Sequence, residues 1–491
     1  MTRAATCLVA TLSALLAAWA VGCGNGKKDR APADYGQRRR AEADRQVRQR
    51  FGKGLDDLAT VKLVLISAHN ENILDEYEQA FSLHHAAEYG QKVFIERRDV
   101  GGGGSAIQRY LQNVYAEADT SRIDVVWGGG DILFQNLVRP TDRHPQGVLE
   151  PLKLTDDVLA HIPPQLNGQS LIDPQLRWVG SAVSGFGFLY NAEMLRRCRI
   201  DPPRLWQDLG EARFTDLIEL ADPAQSGSVT MTYLTIVKSE HTWPAGWARL
   251  LAVLSNAKRI ADAAGAAANS PVLGDALVAT TIDFYGLTRV AEAPDQLVYV
   301  SPAGQTSFGC DPIGILKNPP HLTLAQRFVD FVMSARGQAL WALPVGTDDG
   351  PIRSALGRQP IRRDVYQTYS GRLPPSVVNP YQTGAAMAVA PEMEKTNSGV
   401  LRRLVVAAAV DNIDGLRAAR RVLNALAADP SRQEQYRRRL EEFYALPDNV
   451  ATLEQMNSPD LWPKDAKAFY RLEADWRDFF RRKYERIIAG S

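Results

Sequence analysis

Three times between residues 61 and 131 the chain runs through a short apolar stretch, pauses on small residues, and resumes at helical spacing. Val61-Lys62-Leu63-Val64-Leu65-Ile66 leads to Ser67-Ala68-His69-Asn70, then to Ile73, Tyr77, Phe81 and His84 on one helical face. Val93-Phe94-Ile95 leads to Gly101-Gly102-Gly103-Gly104-Ser105, then to Ile107, Tyr110, Leu111 and Val114. Ile123-Asp124-Val125-Val126-Trp127 ends in Gly128-Gly129-Gly130-Asp131. A nearly continuous apolar run suits a parallel strand covered on both faces. Strand, loop and helix in repetition predict an open α/β sheet with parallel strands.

Such sheets bind ligands at the carboxyl ends of their strands. Here each of those ends carries small or hydrogen-bonding residues before a helix start. Glycines let a ligand approach backbone N–H groups, and a helix N-terminus favours negative charge. Ser226-Gly227-Ser228 repeats the arrangement further along. The candidate ligand-binding residues are therefore His69, Asn70, Gly103, Gly104, Ser105, Gly129, Gly130, Asp131, Ser226, Gly227 and Ser228, with Ser184, Gly185 and Asp311 beside the later strands. Taken singly, each loop is equally a turn or a helix cap; the recurrence in four loops is what favours a binding site.

The rhythm changes at residues 178–191, where Trp178-Val179-Gly180-Ser181-Ala182-Val183-Ser184-Gly185-Phe186-Gly187-Phe188-Leu189-Tyr190-Asn191 is extended and interrupted by glycine. Two strands with a tight bend would carry the chain from one lobe to another. A second α/β portion follows to about residue 297, with a strand at 217–222 and a return strand at 298–300. Asp311-Pro312-Ile313-Gly314-Ile315-Leu316 is a short strand. Thr323 then caps a helix with Leu324, Phe328, Phe331 and Val332 on its apolar face, stopped at Gly337. Beyond residue 385 the chain is rich in Ala, Arg and Glu, and 401–427, 433–444 and 464–488 read as helices.

The beginning of the chain addresses it out of the cytoplasm. Arg3 precedes an uncharged, largely apolar run that ends in Ala20-Val21-Gly22-Cys23, the layout of a secretory signal with a lipid-attachment cysteine. An uncleaved membrane-spanning helix is the competing reading; Gly24-Asn25-Gly26 disfavours it by breaking the helix. Residues 23–59 are polar and charged, a tether with a helix around 38–49, either solvated or lying against anionic lipid. The rest has ordinary soluble composition: net charge +1, 45% hydrophobic and 23% charged residues. No charge bias points to nucleic acid. Cys198 and Cys310 are the two cysteines of the body, either bridged or free.

Catalytic and cofactor patterns are sparse. Gly101, Gly103 and Ala106 fit a dinucleotide fingerprint, but an exported protein meets no nicotinamide pool. No Lys follows the glycines as a phosphate loop needs, and no G-x-S-x-G, H-E-x-x-H or C-x-x-C occurs. His84 and His85 are adjacent on a helix and point apart, so they make a poor metal pair. No catalytic residue, cofactor or metal site is expected.

Taken together, the signal and its cysteine, the GGGGSA loop, DVVWGGG, ADPAQSGS and DPIGILKNPPHLTLAQRFVDFVMSARGQALW resemble bacterial extracellular solute-binding proteins, nearest to the type II group for ferric iron, thiamine, polyamines and sugar phosphates. The resemblance covers about residues 60–370. It implies an α/β, two-lobed type II periplasmic-binding-protein-like fold with two interlobe crossovers. Here a helical C-terminal extension is added. The implied layout is a signal over 1–22, a lipidated tether over 23–59, lobe 1 over 60–180 and 300–384, lobe 2 over 181–299, and the extension over 385–491. It further implies a lipoprotein anchored through Cys23 outside the cytoplasm, and a receptor that hands a small solute to ABC permease subunits. Ferric-iron members use adjacent tyrosines, and no Tyr-Tyr pair occurs here, so a small anion is the expected cargo. The alternatives are an exported sensor, or an enzyme on the same fold with Cys310 as its only candidate nucleophile.

Overall fold

In the computed structural model the described residues are 34–490, apart from 167–168, 383, 385 and 462–464. The signal, Cys23 and the start of the tether lie outside them. From Asp34 onward the expected tether is a packed structure. Helix α1 (Asp34–Phe51) lies against the next helix of the chain. Val47, Leu55, Leu58 and Ala86 form a small core of their own, and the Tyr35 hydroxyl donates to the Thr347 carbonyl. The polar composition hid this because one apolar stripe, not the average, decides whether a helix docks.

The alternation read from the sequence then unfolds in order: β1 (Thr60–Ser67), α2 (Glu71–Tyr89), β2 (Lys92–Arg97), α3 (Gly104–Glu117), β3 (Val125–Trp127) and α4 (Asp131–Leu137), with a short β4 (Leu149–Glu150). β5 (Val179–Asn191) leads into β6 (Ile218–Ala221), α5 (Gly227–Lys238), α6 (Trp243–Ser255), β7 (Ala257–Ala261), α7 (Ala264–Leu273), β8 (Val278–Ile282), α8 (Asp283–Glu292) and β9 (Leu297–Val300). The chain returns through β10 (Phe308–Leu316), α9 (Leu322–Met333), α10 (Ala335–Ala342) and β11 (Gln359–Pro360). Four longer helices close it: α11 (Ser398–Val405), α12 (Ile413–Ala428), α13 (Gln433–Tyr444) and α14 (Ala466–Ala489).

β1 pairs in parallel with β2 and with β3. β8 pairs in parallel with β6, and β6 with β7. Between these two parallel blocks runs β5, buried along its whole length. Its first half pairs antiparallel with β10 and β11, its second half with β8 and β9. One strand therefore belongs to both lobes. The expected bend inside 178–191 is absent. Glycine there answers a packing demand: a Cβ on Gly180 would fall 2.3 Å from the Ile361 side chain, and one on Gly187 2.0 Å from the Val300 carbonyl oxygen.

Two large cores result. Lobe 1 encloses Tyr77, Phe81, Trp127, Phe328, Phe331 and Trp341. The returning helices thus cover lobe 1, as the family resemblance implied. They break at Ser334 rather than at Gly337, because the Ser334 hydroxyl accepts the Gly337 N–H and starts α10. The preceding helix begins at Leu322 after His321, so Thr323 is not its cap. Lobe 2 encloses Trp206, Tyr233, Trp247 and Leu250 together with Leu401, Leu404, Phe443, Phe480 and Tyr484 of the extension. The Trp243 indole N–H donates to the Val450 carbonyl at 2.9 Å. Asp216 receives Arg417 at 2.8 Å and Arg421 at 2.9 Å. The extension is thus part of lobe 2's interior.

Candidate functional site

The strand ends and helix starts of both lobes meet in a cleft of about 800 Å³, well within the range of small-molecule sites. On the lobe 1 side, β1 ends at Ser67, whose hydroxyl donates to the Trp127 carbonyl and accepts the His69 N–H at 3.0 Å. Asn70 caps α2 by accepting the Ile73 N–H. The two glycine loops touch. A Cβ on Gly104 would sit 2.3 Å from the Gly129 carbonyl oxygen, and Gly129 has φ +93°. Only glycine satisfies both the contact and the dihedral. Asp131 opens α4, accepts from Gln135 at 3.1 Å, and has its pKa raised by burial and by the charge of Asp311.

The crossovers supply the floor. Arg358, 1% exposed, pairs with Asp311 and donates to the Ser184 hydroxyl. Its guanidinium lies 4.7 Å from the Phe284 ring centroid and 5.4 Å from that of Trp341. Asp311 also accepts the Gly130 N–H at 2.9 Å. Burial pushes the Asp311 pKa up, but the Arg358 charge prevails and holds it below the ordinary carboxylate range. Arg358 further donates to His69 Nδ1 at 3.3 Å. An arginine only donates, so Nδ1 is the acceptor and the imidazole proton lies on Nε2. That nitrogen has no partner among the described residues. Burial, then the Arg358 charge, pushes the His69 pKa down to about 3, so the ring is a neutral donor. Asp283 sits beneath, accepting the Gly185 and Phe284 N–H groups at 2.8 and 2.7 Å, and burial raises its pKa to about 7.

On the lobe 2 side Ser226, Gly227 and Ser228 start α5, with the two hydroxyls 3.0 Å apart. Of the fourteen residues expected from the sequence, thirteen line this cleft. Gly185 does not. It lies one layer below, where a Cβ would fall 2.8 Å from the Phe308 ring. Sequence reasoning missed Arg358, Phe284 and Tyr285, and also Lys238 and Arg402, all of which line the cleft. Cys310 lines it too, and burial drives its thiol pKa well up. Cys198 and Cys310 are both free. Among the described residues no three His, Cys, Asp or Glu side chains converge as a metal site would need.

Comparison with known proteins bears on the fold around this cleft. Residues 141–346 match the family of bacterial extracellular solute-binding proteins. The phosphoglycerate transport regulatory protein of Salmonella typhimurium is 26% identical over 239 residues, 47% of this chain and 54% of that protein. The same-named protein of Salmonella typhi matches equally. The chain spans about half the length of these curated relatives. Iron-bound HitA from Pseudomonas aeruginosa superposes with a TM-score of 0.51 at 18% identity, covering 70% of this chain and 98% of that one. The apo ferric ion-binding protein A of Pasteurella haemolytica gives 0.50 at 15% identity, covering 70% and 96%. The fold is therefore that of the two-lobed periplasmic binding proteins. Nearly all of each of these two proteins aligns with only part of this longer chain. No described helix is long and apolar enough to cross a membrane.

Proposed function

We propose that this protein is an exported solute receptor whose cleft captures a small organic anion, a phosphate ester foremost, and delivers it to the permease subunits of an ABC importer. One observation carries the reading: the start of α3 from lobe 1 and those of α5 and α7 from lobe 2, none capped by a side chain, converge on the same cleft. Each helix start presents N–H groups and the positive end of its dipole. Asp131 can accept from a ligand hydroxyl. The name of the Salmonella relatives, phosphoglycerate transport regulatory protein, supports the same chemistry. A ligand touching both lobes would favour their closed arrangement through its extra contacts there.

Isothermal titration of the full chain with glycerol 3-phosphate, 3-phosphoglycerate and glucose 6-phosphate tests the cargo, with ferric iron and putrescine as competitors. Micromolar binding of at least one ester is expected. Silence from every ester, while iron or putrescine binds, would refute it.

A second reading is a sensor that reports occupancy to a membrane partner, favoured by the designation of the Salmonella relatives as regulatory proteins. Deleting the gene separates the two. Loss of solute uptake with permease expression intact marks a receptor for transport, whereas loss of induction with uptake restored by forced permease expression marks a sensor. Cys23 is the proposed point of lipid attachment, anchoring the chain outside the cytoplasm. Labelled palmitate should enter the wild-type protein and be absent from Cys23→Ser, which should be released from the membrane.

A further inference from the structure

The extension after residue 385 does more than complete the lobe 2 core. Met387, Val389, Ser398, Gly399 and Arg402 form part of the cleft wall, so the cleft has three sides. Arg402 and its neighbour Arg403 contrast sharply. Arg403 pairs with Glu473 and lies 4.3 Å from the centroid of the Phe469 ring. Arg402 faces the cleft, half-buried, and among the described residues no hydrogen-bond or ion-pair partner holds its side chain. Burial, then the charge of Arg403, lowers its pKa, while Glu473 and Asp222 act on it only at a distance. Half-burying a guanidinium without a partner costs free energy that the surrounding fold must offset.

The other cations of the cleft are already committed. Arg358 is neutralised by Asp311, and Lys238 lies 3.6 Å from the Glu394 carboxylate. The start of α11 is committed as well, since Asn397 accepts the Gly399 and Val400 N–H groups at 3.0 and 3.2 Å. What this helix offers the cleft is therefore the Arg402 charge rather than its terminal N–H groups. Val400, Leu401 and Leu404 fix the orientation, being buried in the core shared with lobe 2.

We propose that Arg402 is a ligand-contacting residue: the C-terminal extension supplies the uncommitted positive charge that engages the phosphate or carboxylate of the bound anion. This deepens, and rests on, the reading of the cleft as an anion receptor. The planar fork of a guanidinium suits two oxygens of such a group.

The test compares the full-length wild type with Arg402→Gln, Arg402→Met, Arg402→Lys and, as a control, Arg403→Gln. Each is titrated with the three phosphate esters named above and melted without ligand. The expected result is at least a tenfold loss of affinity in the Gln and Met variants, a smaller loss in Arg402→Lys, and none in Arg403→Gln. Ligand-free melting temperatures of the Gln and Met variants should hold or rise, because an unpartnered, half-buried charge has been removed. Wild-type affinity in both neutral variants would overturn the inference and leave the anion receptor standing. A parallel fall in affinity and ligand-free melting temperature would also overturn it, by making Arg402 a packing residue. If the wild type binds none of the esters, the receptor reading and this inference fall together.

Discussion

Lobe 1 fills its core with its own strands and the returning helices α9 and α10, whereas lobe 2 borrows chain from beyond residue 385. In lobe 1 the aromatic cluster of Tyr77, Trp127 and Trp341 is complete by residue 341, with ring centroids 4.8 to 5.7 Å apart. In lobe 2, Trp247 on α6 packs 5.8 Å from Phe480 on α14. Lys483 is wholly buried there and donates to the Phe443 and Ala445 carbonyls at 2.8 and 2.9 Å. The difference teaches that a strand-and-helix repeat need not close its own core. Where a helix pair such as α5 and α6 stays apolar on both sides, a further layer must cover it.

The harshest way to break this comparison is to end the chain at residue 384. Lobe 2 would then expose the faces of α5 and α6 and lose on the order of its whole stability, about 5–15 kcal/mol. Hydrogen exchange should show lobe 2 unprotected and β1–β3 still protected. Equal protection of the two lobes would mean that lobe 2 closes unaided.

A gentler cut is Phe480→Ala against Phe328→Ala. Each should cost about 3–5 kcal/mol, but the first should loosen α5–α7 and the second α2 and β3. Calorimetry with residue-resolved exchange distinguishes them. A single uniform loss of protection in both would mean that the lobes unfold as one unit.

The seam between the lobes holds a buried carboxyl. Asp283 has its pKa raised to about 7 by burial, so the folded state holds its proton more tightly than the unfolded chain. Its contribution to stability is complete below the unfolded pKa and is lost as pH rises through 7. Over that window the loss should be about 2–4 kcal/mol. The melting temperature of the wild type should therefore fall between pH 5 and pH 8 more steeply than that of Asp283→Asn. Parallel slopes would show that Asp283 is ionised throughout.

The smallest effect is expected at the far side of lobe 1. Val47→Ala, in the small core under α1, should cost about 1–2 kcal/mol and free α1 without disturbing ligand binding. Limited proteolysis after residue 34 reads this out. Unchanged resistance would mean that α1 is held by its polar contacts instead.

Much of lobe 1 was legible because each element there keeps one period and ends in its own punctuation. The apolar run to Ile66, the cap at Asn70 and the glycines before Ser105 each reported a local event. The loops therefore showed where donors would gather. Arg358 carried no such mark. It lies in the irregular stretch Ala355-Leu356-Gly357-Arg358 just before β11, and its worth comes from meeting Asp311, Ser184 and His69, which are far away in sequence. Arg402 was hidden differently. In an arginine-rich helix nothing local tells which of two neighbours finds a carboxylate and which faces a cleft. The misread bend in 178–191 has the same origin, since a glycine demanded by a neighbouring atom looks like a glycine demanded by a turn.

That the tail and lobe 2 share one interior has a mechanical consequence. Any rotation of lobe 2 about the crossover strands must carry α11–α14 with it as a rigid lever. A turn of about 15° displaces a point by roughly a quarter of its distance from the axis. The outer faces of α13 and α14, far from the cleft in sequence and dense in arginine and glutamate, would then register occupancy as a change of position.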